Sequence, residues 1–201
     1  MAPPLQSSAL RLVLAINAAM FVAEFGAGWL AESTGLIADS FDMLADALVY
    51  GLSLAAVSRS DAGRARTATV SGILQVTLGL GALTEVARRL IGGSEPEPSY
   101  MVVVAAVALV ANAWCLRIVA RHKDEGVHMR ASYIFSQNDV LANVAVIASG
   151  LLVAVTGAAA WDLIVGAGIG LLVLSGGYRI LRAAAQARSR STSDGDDRDG
   201  G

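Results

Sequence analysis

Cysteine, histidine and charged residues are scarce in this sequence of 201 residues. The one cysteine, Cys115, has no partner for an intrachain disulfide, which excludes a disulfide-stabilised fold. Charged residues make up 16% of the chain, compared with about 25% in soluble domains, and the net charge of −2 leaves no strongly basic face for nucleic acid. Hydrophobic residues make up 55%, and the mean hydropathy is +0.58. This composition indicates a membrane protein and excludes a disordered or collagenous chain.

Six apolar stretches are long enough to cross a bilayer, whose hydrocarbon core of about 30 Å requires about 20 helical residues. They cover residues 9–30, 37–57, 67–90, 99–120, 130–156 and 160–184. The joints between them are too short to hold a folded extramembrane domain. The sequence therefore predicts an all-α membrane protein with six transmembrane helices, divided into a short N-terminal tail over 1–8, one transmembrane domain over 9–185 and a polar, acidic tail over 186–201. The second tail is predicted to be disordered because it consists mainly of Ser, Arg, Asp and Gly.

Lysine and arginine are distributed unevenly between the two ends of the predicted spans. If both termini are cytoplasmic, 13 of the 15 positive residues lie on the cytoplasmic side, and only Arg88 and Arg89 lie outside. The positive-inside rule therefore predicts that both termini are cytoplasmic. The excess of arginine over lysine in an Ala- and Gly-rich chain points to a GC-rich bacterial genome, so the expected location is the bacterial inner (plasma) membrane.

Acidic and amide side chains interrupt the second and fifth spans, where lipid should exclude them. They are Asp39, Asp42, Asp46, Asn138, Asp139 and Asn143. A carboxylate near the bilayer centre costs several kcal/mol, so such residues usually face the bundle interior and mark an ion path. Spacings of three and four residues place the acids of the second span on one helix face, and the depths of both groups agree. Because close carboxylates repel one another unless a cation lies between them, the sequence predicts a cation site near the midplane.

Other polar and small residues in the spans have simpler explanations. Asn17 and Asn112 are expected to form hydrogen bonds between helices. His122 and His128, in the joint before the fifth span, are expected to be solvated and not to bind metal. The Gly-x-x-x-Gly pattern at 166–170 indicates close helix packing, and a dinucleotide fingerprint is rejected because no strand precedes it.

The second and fifth spans resemble those of the cation diffusion facilitator family. The resemblance rests on Gly35-Leu-Ile-Ala-Asp39-Ser-Phe-Asp42-Met-Leu-Ala-Asp46 and on Asn138-Asp139-Val-Leu-Ala-Asn143. It implies a six-helix exporter of divalent metals, often zinc, that exchanges them for protons and commonly works as a homodimer. It also implies a transport site with two ligands four residues apart on each of the two helices, which by position include Asp42, Asp46 and Asp139.

The sequence departs from the family pattern in two respects. The remaining ligand position on the fifth helix, usually histidine or aspartate, falls on Phe135, which cannot bind a metal ion. The fourth ligand is then Asn143, Asn138, Asp39 or water. The family also commonly carries a cytoplasmic metal-binding domain after the sixth helix, where this sequence has only a short polar tail, so the resemblance alone does not imply a dimer here.

These features together predict a divalent metal/proton antiporter that works by alternating access, with protons as the counter-substrate. Zinc is the first candidate substrate, and cadmium, cobalt, iron and manganese are alternatives. A proton-coupled exporter of organic cations is a weaker interpretation because aromatic residues make up only 5% of the chain. A membrane metal sensor or subunit that binds metal without moving it is a third. An enzyme is not expected, because neither a nucleophile with a base nor an open-site zinc ligand set is recognisable.

The predicted orientation can be tested with single cysteines. Cysteines introduced in the joints at 58–66 and 121–128, on a Cys115→Ser background, should resist a membrane-impermeant thiol reagent added to intact cells, because both joints carry the cytoplasmic charges. A cysteine at Glu95, in the joint that follows Arg88 and Arg89, is the control that should be labelled. Ready labelling of the first two joints from outside would contradict the topology.

Overall fold

The chain folds into six helices joined by short turns. The computed structural model describes the backbone at residues 4–56, 61–122, 124 and 127–199, and side chains at 8–52, 54, 63–122, 124 and 132–186. The helices are α1 (Pro4–Leu30), α2 (Thr34–Ala56), α3 (Asp61–Gly92), α4 (Pro98–Ala120), α5 (Val127–Thr156) and α6 (Ala160–Asp199). No strand occurs in the described backbone, so the predicted all-α fold is confirmed.

Five of the six helices are long and apolar enough to cross a membrane. The spans lie at Ser8–Leu30, Gly63–Gly92, Pro98–Ala120, Ser132–Thr156 and Ala160–Gln186. α2 has the length, 23 residues, but it contains the three aspartates at 39, 42 and 46. The helix that departs from an ordinary membrane span is therefore one of the two that carry the predicted site, and it supplies half of the site residues.

The outer helices extend beyond the predicted domain boundaries at residues 8 and 185. α1 begins at Pro4. Proline, which has no backbone N–H, fits a first helical turn because the N–H groups of that turn have no carbonyl partner within the helix. α6 continues to Asp199, although a disordered tail is predicted from residue 186. The side chains beyond Gln186 lie outside the described residues, as do the side chain of His128 and part of the 58–66 joint. The division of the chain at residues 8 and 185 stays a prediction.

α3 and α6 pack against each other through glycines, almost backbone to backbone. A Cβ on Gly79 would lie 2.8 Å from the backbone N of Leu174, and one on Gly177 would lie 2.8 Å from that of Val76. Only glycine permits so close an approach, which in membranes is a principal source of helix association. α3 and α6 therefore form one tightly packed pair.

Asp162 attaches the N-terminus of α2 to the first turn of α6. Its fully buried carboxylate accepts hydrogen bonds from Ser33 Oγ at 2.8 Å, from the backbone N of Thr34 at 2.5 Å and from the backbone N of Gly35 at 2.9 Å. These N–H groups belong to the unsatisfied first turn of α2, where a carboxylate is favourable. The interaction fixes the height of α2 in the bundle relative to α6.

The Gly-x-x-x-Gly pattern of α6 is used in close packing, as predicted. A Cβ on Gly166 would lie 2.8 Å from Cγ2 and 3.0 Å from the backbone C of Thr34, and one on Gly170 would lie 3.1 Å from Leu83 Cδ2. Gly168, between them, has nothing within 4 Å of its Cβ position. The two outer glycines thus contact α2 and α3, and the middle one points to open space.

Matched alanine substitutions test this packing. Gly168→Ala should raise the melting temperature in detergent, because alanine is better than glycine in a helix interior by about 0.5–1 kcal/mol. Gly166→Ala should lower it, because overpacking costs about 1–3 kcal/mol and the nearest atoms include the backbone of α2. The measurement is a thermal melt followed by size-exclusion chromatography. Equal shifts in the two variants would show that α2 and α6 are not in close contact at this point.

Candidate cation site

The antiparallel packing of α2 and α5 brings the predicted site residues together. Tyr50 Oη donates to the backbone O of Ser132 at 3.4 Å, and about one turn beyond the cavity, toward the start of α2, Asn143 Nδ2 donates to Asp39. In this register residues 42 and 46 of α2 are level with residues 140 and 136 of α5. Asp42 and Asp46 therefore lie on either side of the level of Asp139, as the matching depths of the sequence predict.

A small, partly open cavity lies where these side chains meet. Its volume is about 10 Å³, close to the minimum that accommodates one water molecule. Four of the predicted site residues line it, namely Asp42, Asp46, Asn138 and Asp139. The rest of the lining comes from α3, α5 and α6 and consists of Gln75, Phe135, Leu172, Gly176 and Arg179. The donors available to a cation here are all oxygens.

The acids of the cavity are buried and incompletely paired. Asp42, Asp46 and Asp139 are at most 3% exposed. Among the described residues, Asp46 Oδ2 and both carboxylate oxygens of Asp139 have no hydrogen-bond partner. A buried, ionised carboxylate without a partner is very costly, so either a cation or protons must compensate these groups.

The described side chains do not include three His, Cys, Asp or Glu groups already gathered around one point as metal ligands. Asp42, Asp46 and Asp139 share a cavity, but their oxygens do not converge at ligand distances. The arrangement offers a set of oxygen donors that can close around a divalent ion, a donor type that suits hard and borderline cations.

Asp39 and Asn143, two of the four candidates for the fourth ligand, do not line the cavity. Asn143 donates to Asp39 and accepts a hydrogen bond from Asn112 Nδ2 at 2.9 Å. This chain joins α2, α5 and α4, and it confirms the expected role of Asn112 in bonding between helices. Asn17 instead donates to the backbone O of Val13 in its own helix, at 3.1 Å. Of the three residues proposed as the fourth ligand, Asn138 is the one that lines the cavity.

Phe135 faces the cavity at the position where the resemblance expects a ligand. Its ring packs edge-on against Tyr50, with 6.3 Å between ring centroids. The alignment of α5 that the sequence predicts, with residues 135 and 139 on one face, is therefore present in the structure.

Two cavity residues, Gln75 and Arg179, were not predicted as site residues. Gln75 is buried on α3, and Gly176 of α6 leaves room for it, since a Cβ there would lie 2.8 Å from Gln75 Nε2. The exposed Arg179 counts in the sequence only as a cytoplasmic positive charge. The sequence does contain a polar residue in the third span and a glycine in the sixth. That the two face each other can be recognised only once the register of α3 on α6 is known.

A wider groove of about 310 Å³ runs between α5 and α6 and reaches Asp42 and Asn138. The rest of its lining is aliphatic or glycine, contributed by Leu141, Ala142, Ala145, Ile164, Val165, Gly168, Ile169 and Leu172. No aromatic side chain borders it in the part of the chain described. The groove lacks the aromatic walls that usually bind an organic cation.

Comparison with known proteins assigns the chain to a family. The family model of the cation efflux transmembrane domain matches residues 10–187. The chain is 27% identical over 187 residues to the metal cation efflux system protein CzcD of Cupriavidus metallidurans, covering 87% of this chain and 59% of that protein. It is 25% identical over 189 residues to the zinc transporter ZitB of Yersinia pseudotuberculosis, covering 88% and 61%. The chain thus spans about three fifths of the length of these relatives, and it belongs to the cation efflux family, the cation diffusion facilitator family that its second and fifth spans resemble.

Proposed function

We propose that this chain transports a divalent metal cation across the membrane in exchange for protons, and that the ion binds in the cavity between α2 and α5. The observation that carries the proposal is the set of buried, unpaired carboxylate oxygens of Asp46 and Asp139 beside Asp42, inside a bundle of membrane-spanning helices. A cation and protons are the two species that can compensate them. Membership of the cation efflux family supports the metal as cargo.

The donor set supports a divalent ion held by oxygens. Asp42, Asp46 and Asp139 supply the charge, and Asn138 supplies an amide oxygen as fourth ligand because it lines the same cavity. Zinc accepts carboxylate ligands, and the relative named a zinc transporter is consistent with zinc as the substrate. Without an imidazole at position 135, cadmium, cobalt, iron and manganese compete more closely than they would at a nitrogen-containing site.

Proton exchange follows from the same carboxylates. When the metal leaves, three acids in one buried cavity cannot all stay ionised, because like charges repel and water is scarce. Protons that enter the cavity neutralise the acids and allow the helices to rearrange without a bare anionic cluster inside the membrane. In the proposed cycle the cavity is open in turn to each side, as in other transporters with a midplane site.

Substitution of the cavity acids tests the proposal. Asp46→Asn and Asp139→Asn should each reduce zinc flux into proteoliposomes by more than about 100-fold, since loss of outer contacts alone weakens metal sites by about 10–100-fold. Both changes keep the shape of the side chain, so the protein should remain monodisperse. Glu95→Gln, at an exposed acid in the α3–α4 joint, is the control with unchanged flux.

Two other results would exclude this mechanism. Normal flux in Asp46→Asn or Asp139→Asn would show that the ion does not pass through this cavity. Zinc binding without any flux in the unaltered protein would instead identify a metal sensor or subunit.

Phe135→His tests the register of α5 and the basis of metal preference. The new imidazole would join Asp139 one turn away on the cavity face, and imidazole nitrogen favours zinc over manganese. The ratio of zinc to manganese transport should rise by about tenfold. Phe21→His, at a half-buried aromatic of α1, is the control that should leave the ratio unchanged. A flat ratio in Phe135→His would mean that position 135 does not reach the ion.

A further inference from the structure

A second group of fully buried polar side chains lies within one helical turn of the cavity, toward the α1–α2 joint. It consists of Glu24 on α1, Asp39 on α2, Asn112 on α4 and Asn143 on α5, each 0% exposed. Asp39 precedes Asp42 by three residues, which corresponds to about 4.5 Å along the helix axis. The mechanism proposed above does not use these residues.

The packing of α1 against α2 brings Glu24 within one helical turn of Asp39. The rings of Phe25 and Phe41 lie 5.8 Å apart between centroids. Further along, a Cβ on Gly28 would lie 2.9 Å from Ile37 Cγ1. Because the two helices run antiparallel, these contacts place Glu24 level with residues 41 and 42 of α2, which is within one helical turn of Asp39 along the axis.

The polar atoms of this group that have no hydrogen-bond partner among the described residues are all oxygen acceptors. An ionised Asp39 can only accept, so Asn143 presents its NH₂ group to Asp39 and its oxygen to Asn112 Nδ2. Both amides are thereby oriented, and Asn112 Oδ1 is left without a donor. Within the described residues Glu24 Oε1, Glu24 Oε2 and Asp39 Oδ1 also have no hydrogen-bond partner.

We propose that Glu24, Asp39 and Asn112 form a second station for a divalent cation, which the ion occupies after the cavity on its way to the end of the bundle at the α1–α2 joint. The two carboxylates neutralise a divalent charge, and the amide oxygen of Asn112 adds a neutral ligand of the type that hard cations accept. Asn143 holds Asp39 and Asn112 in position from α5. The inference rests on the proposed function, because the cavity supplies the ion.

The station gives the cation a second set of ligands next to the cavity. An ion that leaves three cavity acids for an apolar passage would lose its coordination at high cost. Replacement ligands one turn away on α1, α2 and α4 divide that step into two shorter ones. Since two divalent ions at this separation repel, occupation of the two sites is sequential.

Zinc binding in an Asp46→Asn background separates the station from the cavity. Equilibrium dialysis of the purified chain with zinc chloride should show that Asp46→Asn retains a weaker site of about one equivalent. Asp46→Asn/Glu24→Gln should lose it, and Asp46→Asn/Asn112→Ala should weaken it by about tenfold. Asp46→Asn/Asn17→Ala is the matched control, because Asn17 is a buried amide of α1 that bonds within its own helix.

The outcomes distinguish this inference from the proposed function. If Asp46→Asn and Asp46→Asn/Glu24→Gln bind zinc equally, or if neither binds it, the second station is absent and Glu24 is a neutral structural acid. Flux measurements on Asp46→Asn alone test whether the ion passes through the cavity, and their result does not depend on the second station. Glu24→Gln alone should keep zinc affinity at the cavity within about twofold while transport slows by about tenfold, and an unchanged transport rate would also overturn the station.

Discussion

The negative charge of carboxyl groups inside a membrane-spanning bundle must be balanced by a cation or by protons, and this constraint governs the arrangement of the other helices. Asp42, Asp46 and Asp139 are buried, and several of their oxygens have no hydrogen-bond partner in the described part of the chain. Such groups would destabilise the fold if they had no role, since apolar residues would fill the same space at lower cost. The proposed cation, which these acids would bind and release, accounts for their presence on the facing sides of α2 and α5.

The position of α2 therefore determines whether the site exists. Asp162 attaches the first turn of α2 to α6, and Gly166 allows the backbones of the two helices to approach closely at Thr34. Farther along, the contact between Tyr50 and Ser132 fixes α2 relative to α5. A shift of α2 by one residue would rotate Asp42 and Asp46 by about 100° away from Asp139. The close α3–α6 pair brings Gln75 and Arg179 to the same cavity, so all but two of the helices, α1 and α4, contribute to its lining.

The sequence was sufficient for the fold class and for the core of the candidate site. Hydrophobic length alone identified the six helices, and the spacing of Asp42, Asp46 and Asp139 predicted that they face one another, because both patterns depend only on helix geometry. The position of Phe135 at the cavity was also predictable from its four-residue separation from Asp139.

Tertiary packing decided what the sequence could not. Three residues were candidates for completing the site, and nothing in their spacing distinguished Asn138, which lines the cavity, from Asn143, which bonds to Asp39 and Asn112. Gln75 and Arg179 reach the cavity through the register of α3 on α6, which close glycine contacts determine. Likewise, the association of Glu24 with Asp39 depends on where α1 crosses α2.

The central claim is that the cavity acids hold metal and protons in alternation, and proton movement during metal transport tests it most directly. Liposomes that contain the purified chain and a pH-sensitive dye are given an inward zinc gradient, with the voltage held at zero by valinomycin and potassium. Exchange predicts that the lumen becomes alkaline as zinc enters and protons leave, and that Asp46→Asn abolishes the change. Zinc entry without any change in lumenal pH would contradict the account and indicate facilitated diffusion.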